Sequence, residues 1–518
     1  MGRGDTVRRV GCIADELTIP GVAERAARDL PDDAALVGRG AVVSYSSLWF
    51  LARVGAAALV DRGVEPGDRV GLLADNSPAW AVANLAILGT GAAVVPLSTR
   101  WRETEIADVL ERARCRVVLR ADDVDALTQT RASVAAGPEV ERRLGALSPD
   151  AVSHVQFTAG TTGRPKGALL THRGMVATTR EWVGIVGLRR GDGYPIVNPC
   201  SHIGGHKTGL LACMIAGATA HPIDRFDPDR LLELITTERL SFLQGPPAMF
   251  QALLDTIDED QAQVRTSAPD ATSRNASGGG VGSVRVGVTG SANIPPALIV
   301  RMRDTLGLDA VHAGYGLTEA TGVCTMTRAD DPLALVTETS GRAIPGVEVR
   351  IVAPDDEIEV RGVGVMRGYL DDPDATAAVM RPGGWLATGD VGALDVDGNL
   401  SILDRLHDLV IVGGFNVYPA ELERVLAEHP AVAQAAVVGV PDDARGEIPV
   451  AFVIAADTAD PDTTDADALL GFVRERLASY KVPRHVWWVD DFPLTPVPKV
   501  DKVALAADAR ARLGISDR

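Results

Sequence analysis

The stretch FTAGTTGRPKG, Phe157 to Gly167, decides how the chain is read. It follows an apolar, strand-like run at residues 152–157 and gathers three glycines, three threonines and one lysine within eleven residues. Glycines remove the side chains that would block close approach. The bared backbone N–H groups and the hydroxyls can then wrap phosphate oxygens, with Lys166 adding a cation. The loop is not of the G-x-x-x-x-G-K-S/T type, because Lys166 is followed by Gly167. A strand feeding such a loop belongs to an α/β architecture.

Outward from this loop the chain keeps the same grammar. Helix-period segments at residues 80–88 and 103–113 alternate with short apolar or β-branched runs at 94–97 and 116–119, the pattern of an α/β fold. The apolar run 81–97 is broken by Asn84, Gly89 and Gly91, and reads as a helix, a glycine turn and a buried strand rather than a membrane span. Residues 267–283 (SAPDATSRNASGGGVGS) have no apolar period and read as a mobile surface loop, with a strand at 284–289 after it. The sequence VDGN (396–399) reads as a hairpin turn. Beyond it, Pro419 opens a helix, strands follow at 432–440 and 450–454, and a second helix at 466–478. Two domains are expected, residues 1–404 and 405–518: a large N-terminal domain of mixed sheets flanked by helices, and a small mobile α+β C-terminal domain.

Composition bounds the function. At 518 residues the chain exceeds the roughly 250–300 at which single cores stop growing. A formal charge of −18 opposes non-specific binding of nucleic acid or anionic membranes. The five cysteines are scattered and odd in number, without C-x-x-C spacing, so neither a disulfide framework nor a zinc site is implied, and a reducing cytoplasm fits.

FTAGTTGRPKG resembles the phosphate loop of the adenylate-forming superfamily: acyl- and aryl-CoA synthetases, peptide-synthetase adenylation domains and luciferases. Colinear matches follow across almost the whole chain: SHIGGHKTG (201–209), TGSANIP (289–295), GYGLTEA (314–320), EVRGVGVMRGY (359–369), GWLATGD (384–390), DRLHDLVIVGGFNVYPAELE (404–423) and PLTPVPKVDK (493–502). The set is most similar to AMP-forming acyl-CoA synthetases. The resemblance implies attack of a carboxylate on the α-phosphorus of ATP, then transfer of the acyl group from AMP to CoA. In it Thr158, Ala159, Gly160, Thr161, Thr162, Gly163 and Lys166 hold the β- and γ-phosphates. Thr318 contacts the α-phosphate, and Glu319 holds Mg²⁺, a hard ion suited to carboxylate and phosphate oxygens. Tyr315, between Gly314 and Gly316, stacks on adenine; Asp390 and Arg405 take the ribose hydroxyls. His202 stands beside the acid, with Gly205, His206, Lys207, Gly290, Ser291 and Leu317 as further walls. Lys499 neutralises charge during adenylation. The C-terminal domain then swings about His407 so that Gly413, Gly414 and Phe415 line the pantetheine channel.

The GGHKTG run resembles ligases with G-Y-K-A-G there, among them ones acting on the propanoate side chain of degraded steroid rings, although His206 stands in place of the tyrosine. The expected substrate is a fatty, alicyclic or steroid-derived acid without an α-amino group. Four departures stand out: Ala159 for Ser in the phosphate loop, His407 for Lys or Asp at the hinge, Pro498 for Gly before Lys499, and Asp356 for Gly before Glu357. Competing readings are an acyl-AMP ligase that loads an acyl carrier protein and a non-catalytic nucleotide-binding homologue. Homodimerisation is left open.

Overall fold

In the computed structural model, which describes residues 17–38, 40–129, 137–158, 165–267, 282–290, 294–406, 408–412, 415–442, 445–456, 466–495 and 500–515, an antiparallel hairpin carries the ends of the glycine loop. Its strands, Val152–Thr158 and Lys166–Thr171, set Thr158 opposite Lys166. They close one edge of a five-stranded sheet whose other members, Val117–Arg120, Arg69–Leu73 and Ala93–Leu97, run parallel to Val152–Thr158.

The helix Pro78–Gly89 fits the apolar run read from the sequence. Ser77 caps it, its hydroxyl accepting from Trp80 N at 3.1 Å, and Pro78 supplies a first-turn residue that needs no N–H partner. Every residue from Ala79 to Gly89 is buried, as befits a helix apolar all round. Gly91 turns the chain at φ 83° into the strand Ala93–Leu97. The helix Glu103–Ala113 has the expected bounds.

A second five-stranded sheet begins with three parallel strands, Phe242–Gly245, Val286–Gly290 and Ala310–Tyr315, and continues antiparallel through Thr325–Met326 and Arg342–Ala343. The residues that pack it include Phe250, Leu253, Ile299 and Met302. A smaller sheet joins Ala41–Ser44, Ala34–Gly38, Thr219–Pro222 and Gly193–Ile196. The strand expected at 284–289 starts two residues later, at Val286; the loop before it lies outside the described residues over 268–281.

The chain divides into two compact units, one comprising residues up to Val349 with Val360–Leu386, the other Arg350–Glu359 with Ala387–Arg518. The boundary expected at 404/405 falls inside the second of these units. In the second unit the strands Phe415–Val417, Val410–Val412, Gly446–Ala455 and Val432–Asp442 pair in that order, and His485–Trp488 pairs with Gly446–Ala455. Alternation sends Val437 and Val453 into one cluster with Leu422 and Leu426, and Val438 and Phe452 into another with Leu505. The helix Ala466–Arg474 is shorter than expected, because Arg476 N bonds Val473 O in a tightened last turn. VDGN is the hairpin between Trp385–Leu394 and Leu400–Arg405, with Gly398 at φ 79°. Asp356 sits at φ 55°, a conformation that glycine adopts without strain.

The architecture is therefore α/β, with a large unit of mixed sheets and a smaller α+β unit. Among the described residues no helix is long and apolar enough to cross a membrane.

Candidate active site

Glu319 is the centre of the first cluster. It lies in the single 3-10 turn Thr318–Ala320, directly after the strand Ala310–Tyr315. Thr158 Oγ1 donates to Glu319 Oε1 at 3.2 Å and the Tyr369 hydroxyl donates to the same oxygen at 3.0 Å. Among the described residues none donates to Oε2. Lys166 Nζ stands 5.3 Å from the centre of the Tyr369 ring, a cation over an aromatic face. Burial, followed by the Glu319 charge, pushes the Tyr369 phenol well above its ordinary range, so it stays protonated and donating.

Backbone pairing fixes these side chains. Arg367 N bonds Leu169 O, Leu169 N bonds Gly368 O, and Leu370 N bonds Gly167 O, so a strap over 367–370 runs beside the strand that starts at Lys166. Met366 N bonds Glu319 O at 2.7 Å. Tyr369 closes the motif EVRGVGVMRGY, where nothing in the residue pattern assigns it a role. Only the fold brings a tyrosine fifty positions downstream onto Glu319.

The parallel strands of the second sheet end together at Gly245, Gly290 and Gly314–Tyr315, the carboxyl edge where α/β sheets bind ligands. Close approach explains two of these glycines. A Cβ on Gly290 would lie 2.9 Å from Gly314 O, and one on Gly316 would lie 2.4 Å from Gly322 O. Tyr315, Leu317 and Thr318 are half-buried on this edge, and Cys324 N bonds Tyr315 O at 2.8 Å.

The SHIGGHKTG segment folds as a short helix, Ile203–Gly205, running into a π-helical turn, His206–Leu211. Gln156, on the strand that leads to Thr158, holds it by donating Nε2 to Ser201 O at 2.9 Å. His202 caps the helix, Nδ1 accepting from Gly204 N at 3.2 Å. Gly205 admits no side chain, since a Cβ would sit 2.3 Å from Pro199 O. His206 is buried: its ring lies parallel to that of His154, centroids 4.5 Å apart, with Trp80 at 6.1 Å, and its Nδ1 bonds Cys200 O at 3.0 Å. Burial lowers the His206 pKa to about 3. His154 in turn meets Asn84 Oδ1 through Nε2 and Ser153 Oγ through Nδ1, both at 3.1 Å. Lys207 is 0% exposed, and its Nζ has no hydrogen-bond partner among the described residues. Burial brings its pKa down to about 7 against a small opposing influence of Cys324.

Within the second unit Asp390, 7% exposed, and Arg405 face each other across their hairpin, Arg405 Nε lying 3.2 Å from Asp390 Oδ1. Asp404 accepts from Arg405 N at 2.7 Å and from Ala420 N at 3.0 Å, so one carboxylate ties the hairpin to the helix Pro419–Ala427. Burial raises the Asp404 pKa to about 6. Ala159, Gly160, Thr161, Thr162, Gly163, Ser291, His407, Gly413, Gly414, Pro498 and Lys499 lie outside the described residues, and Phe415 is placed only as the first residue of its strand.

Residues 23–370 match the family described as AMP-binding enzyme, and residues 421–499 the AMP-binding enzyme C-terminal domain. The chain belongs to the AMP-binding enzymes. It is 41% identical to a 7a-methyl-1,5-dioxo-octahydro-1H-inden-4-yl propanoyl:CoA ligase of Mycobacterium tuberculosis, over 95% of this chain and 99% of the relative. It is 33% identical to a feruloyl-CoA synthase of an Amycolatopsis species, over 95% and 98%. Among solved structures it resembles o-succinylbenzoate CoA synthetase of Bacillus subtilis in complex with its acyl-adenylate intermediate, with a TM-score of 0.79 and 26% identity over 93% of this chain and 97% of that one. This AMP-binding enzyme is an AMP-forming acid–thiol ligase; the clusters around Glu319 and His202 are candidate-site residues within the first unit, and Asp390 with Arg405 form a separate candidate cluster within the second.

Proposed function

We propose that the enzyme activates an alicyclic, ring-bearing propanoate-type acid and transfers it to CoA. A carboxylate oxygen attacks the α-phosphorus of ATP, pyrophosphate leaves, and the acyl-AMP forms. The CoA thiol, losing its proton, then attacks the acyl carbonyl and AMP departs. The observation that carries the reading is the convergence of Thr158 and Tyr369 on Glu319 beside Lys166. Preplaced donors and charge do most of the work in such transfers.

Thr158, Thr161, Thr162, Gly163 and Lys166 hold the outer phosphates, Thr318 the α-phosphate, Tyr315 the adenine, and Asp390 with Arg405 the ribose. Glu319 fits Mg²⁺ by its donor chemistry, since both hydroxyls converge on Oε1 and leave Oε2 for a hard cation; the ion supplies neutralisation of phosphate charge. His202 borders the acid, Lys499 meets developing charge, and a swing at His407 brings Gly413, Gly414 and Phe415 to the pantetheine arm. The name of the 41% identical relative supports the ring-bearing acid, and the cysteine pattern supports a cytoplasmic setting.

The test is a panel of acids assayed for CoA-dependent AMP release: bicyclic oxo-propanoates, hydroxycinnamates, fatty acids and α-amino acids. The bicyclic acids should give the highest kcat/KM. Preference for any other class would overturn the substrate reading.

A further inference from the structure

In the π-helical turn the Lys207 amine is unmatched among the described residues. Thr208 beside it is satisfied, Oγ1 donating to Gly204 O at 3.0 Å and accepting from Gln244 Nε2 at 3.1 Å; His206 bonds Cys200 O through Nδ1, while its Nε2 has no partner among the described residues. Lys207, between them, is fully buried with Nζ unpartnered among the described residues. A lysine is seldom fully buried unless it is paired. Leaving its amino group unmatched is costly, and nothing in the packing of the turn requires an amine there.

The direction of the side chain follows from the helical turn. Ile203, four residues earlier and on the same face, packs against Gly322, whose Cβ position lies 3.2 Å from Ile203 Cγ2. Lys207, one turn further on, lies near enough to Cys324 in the same segment for that thiol to influence its basicity. Cys324 N bonds Tyr315 O, so the amine lies behind the wall that carries Tyr315 and leads into Thr318 and Glu319. Among the described residues no carboxylate offsets its burial, and burial alone depresses its basicity, with Cys324 acting weakly the other way. A site without a built-in counter-ion suits a neutral acceptor brought by the ligand. π-Helical turns recur at functional sites, where the extra residue re-aims a side chain.

We propose that Lys207 contacts the substrate, its ε-amino group donating a hydrogen bond to a ring carbonyl oxygen of the acid, so that oxo-substituted cyclic acids are selected over their plain hydrocarbon counterparts. The inference rests on the substrate reading above, and the 41% identical relative is named for a ring system with two oxo groups. A site built around a buried donor discriminates strongly against a ligand that lacks the acceptor, because the donor is left desolvated and unmatched.

The experiment compares 7a-methyl-1,5-dioxo-octahydroindenyl propanoate with the same acid bearing methylenes in place of both ring carbonyls, in the wild type and in Lys207→Met. The readout is CoA-dependent AMP release. The wild type should favour the dioxo acid by about tenfold or more in kcat/KM, chiefly through KM. Lys207→Met should bring the two acids to near parity in kcat/KM. Equal turnover of both acids by the wild type overturns the inference and leaves the substrate reading standing. A preference that persists undiminished in Lys207→Met overturns it too. Failure of the wild type to use either acid overturns the substrate reading itself, and the inference with it. The wild-type comparison decides the matter even where Lys207→Met does not fold.

Discussion

The Tyr369 hydroxyl donates to Glu319 Oε1 at 3.0 Å, alongside the Thr158 hydroxyl at 3.2 Å, and together they hold the carboxylate in one orientation. A hydrogen bond to a charged group is worth about 1.5–3 kcal/mol. Tyr369→Phe keeps the ring under Lys166 but removes the donor. Acid-dependent exchange of pyrophosphate into ATP should fall about tenfold to a hundredfold. Thioester formation from supplied acyl-AMP should change far less. Unaltered exchange would show that Glu319 needs no such support.

Gly205→Ala should destabilise the protein by about 1–3 kcal/mol or more, since overpacking forces backbone shifts. The added Cβ would meet Pro199 O at 2.3 Å, and that loop has little freedom because Cys200 N is held by Asn76 Oδ1 at 2.6 Å. Thermal unfolding of the purified variant checks this; a wild-type midpoint would contradict it.

Lys207 gives a pH signature in stability. Its pKa is brought down to about 7 in the folded protein, so between pH 7 and about 10.4 the unfolded chain binds the extra proton. Stability contributed at this site therefore rises across that window and is lost as pH falls back through 7. At about 1.4 kcal/mol per pKa unit the change is roughly 3–5 kcal/mol. Lys207→Met removes the titration, so its stability relative to wild type should be most favourable at pH 7 and decline towards pH 10. Denaturant unfolding at both pH values measures it, and a constant difference would contradict the burial of an unmatched amine.

The buried histidines act at the acid end. Burial lowers both His206 and His172 to about 3 and holds His154 well below its usual value. Above about pH 6.5 all are neutral in folded and unfolded chains alike. As pH falls below that, only the unfolded chain takes up protons, and stability drops by about 1.4 kcal/mol per pH unit for each histidine. His206→Phe, which keeps a ring against His154, should flatten the stability profile between pH 6 and 4 by about one such increment. An unchanged slope would mean that His206 titrates normally.

Much of this was legible in the chain. The helix Pro78–Gly89 and the strand after it follow from one apolar run with glycines at its breaks, and the helix Glu103–Ala113 from its period alone. Periodicity reports burial, which is a local property. Tyr369 escaped because its partner Glu319 is fifty residues away and the strap that joins them is held by backbone hydrogen bonds, which leave no side-chain pattern. The motif alone makes His206 a pocket wall, whereas the structure places it in a ring stack with His154 and Trp80, residues far apart in sequence. That Lys207 Nζ has no partner among the described residues could not be read from the sequence either, for such a group is visible only once its neighbours are placed.

The chain joins an acid to AMP before handing it to CoA. Exchange of labelled pyrophosphate into ATP, measured without CoA and with the bicyclic dioxo acid, tests it most directly. Exchange should depend on the acid and be followed, in the same sample, by release of AMP and appearance of the acyl-CoA when CoA is added. Absence of acid-dependent exchange with every acid of the panel would contradict it.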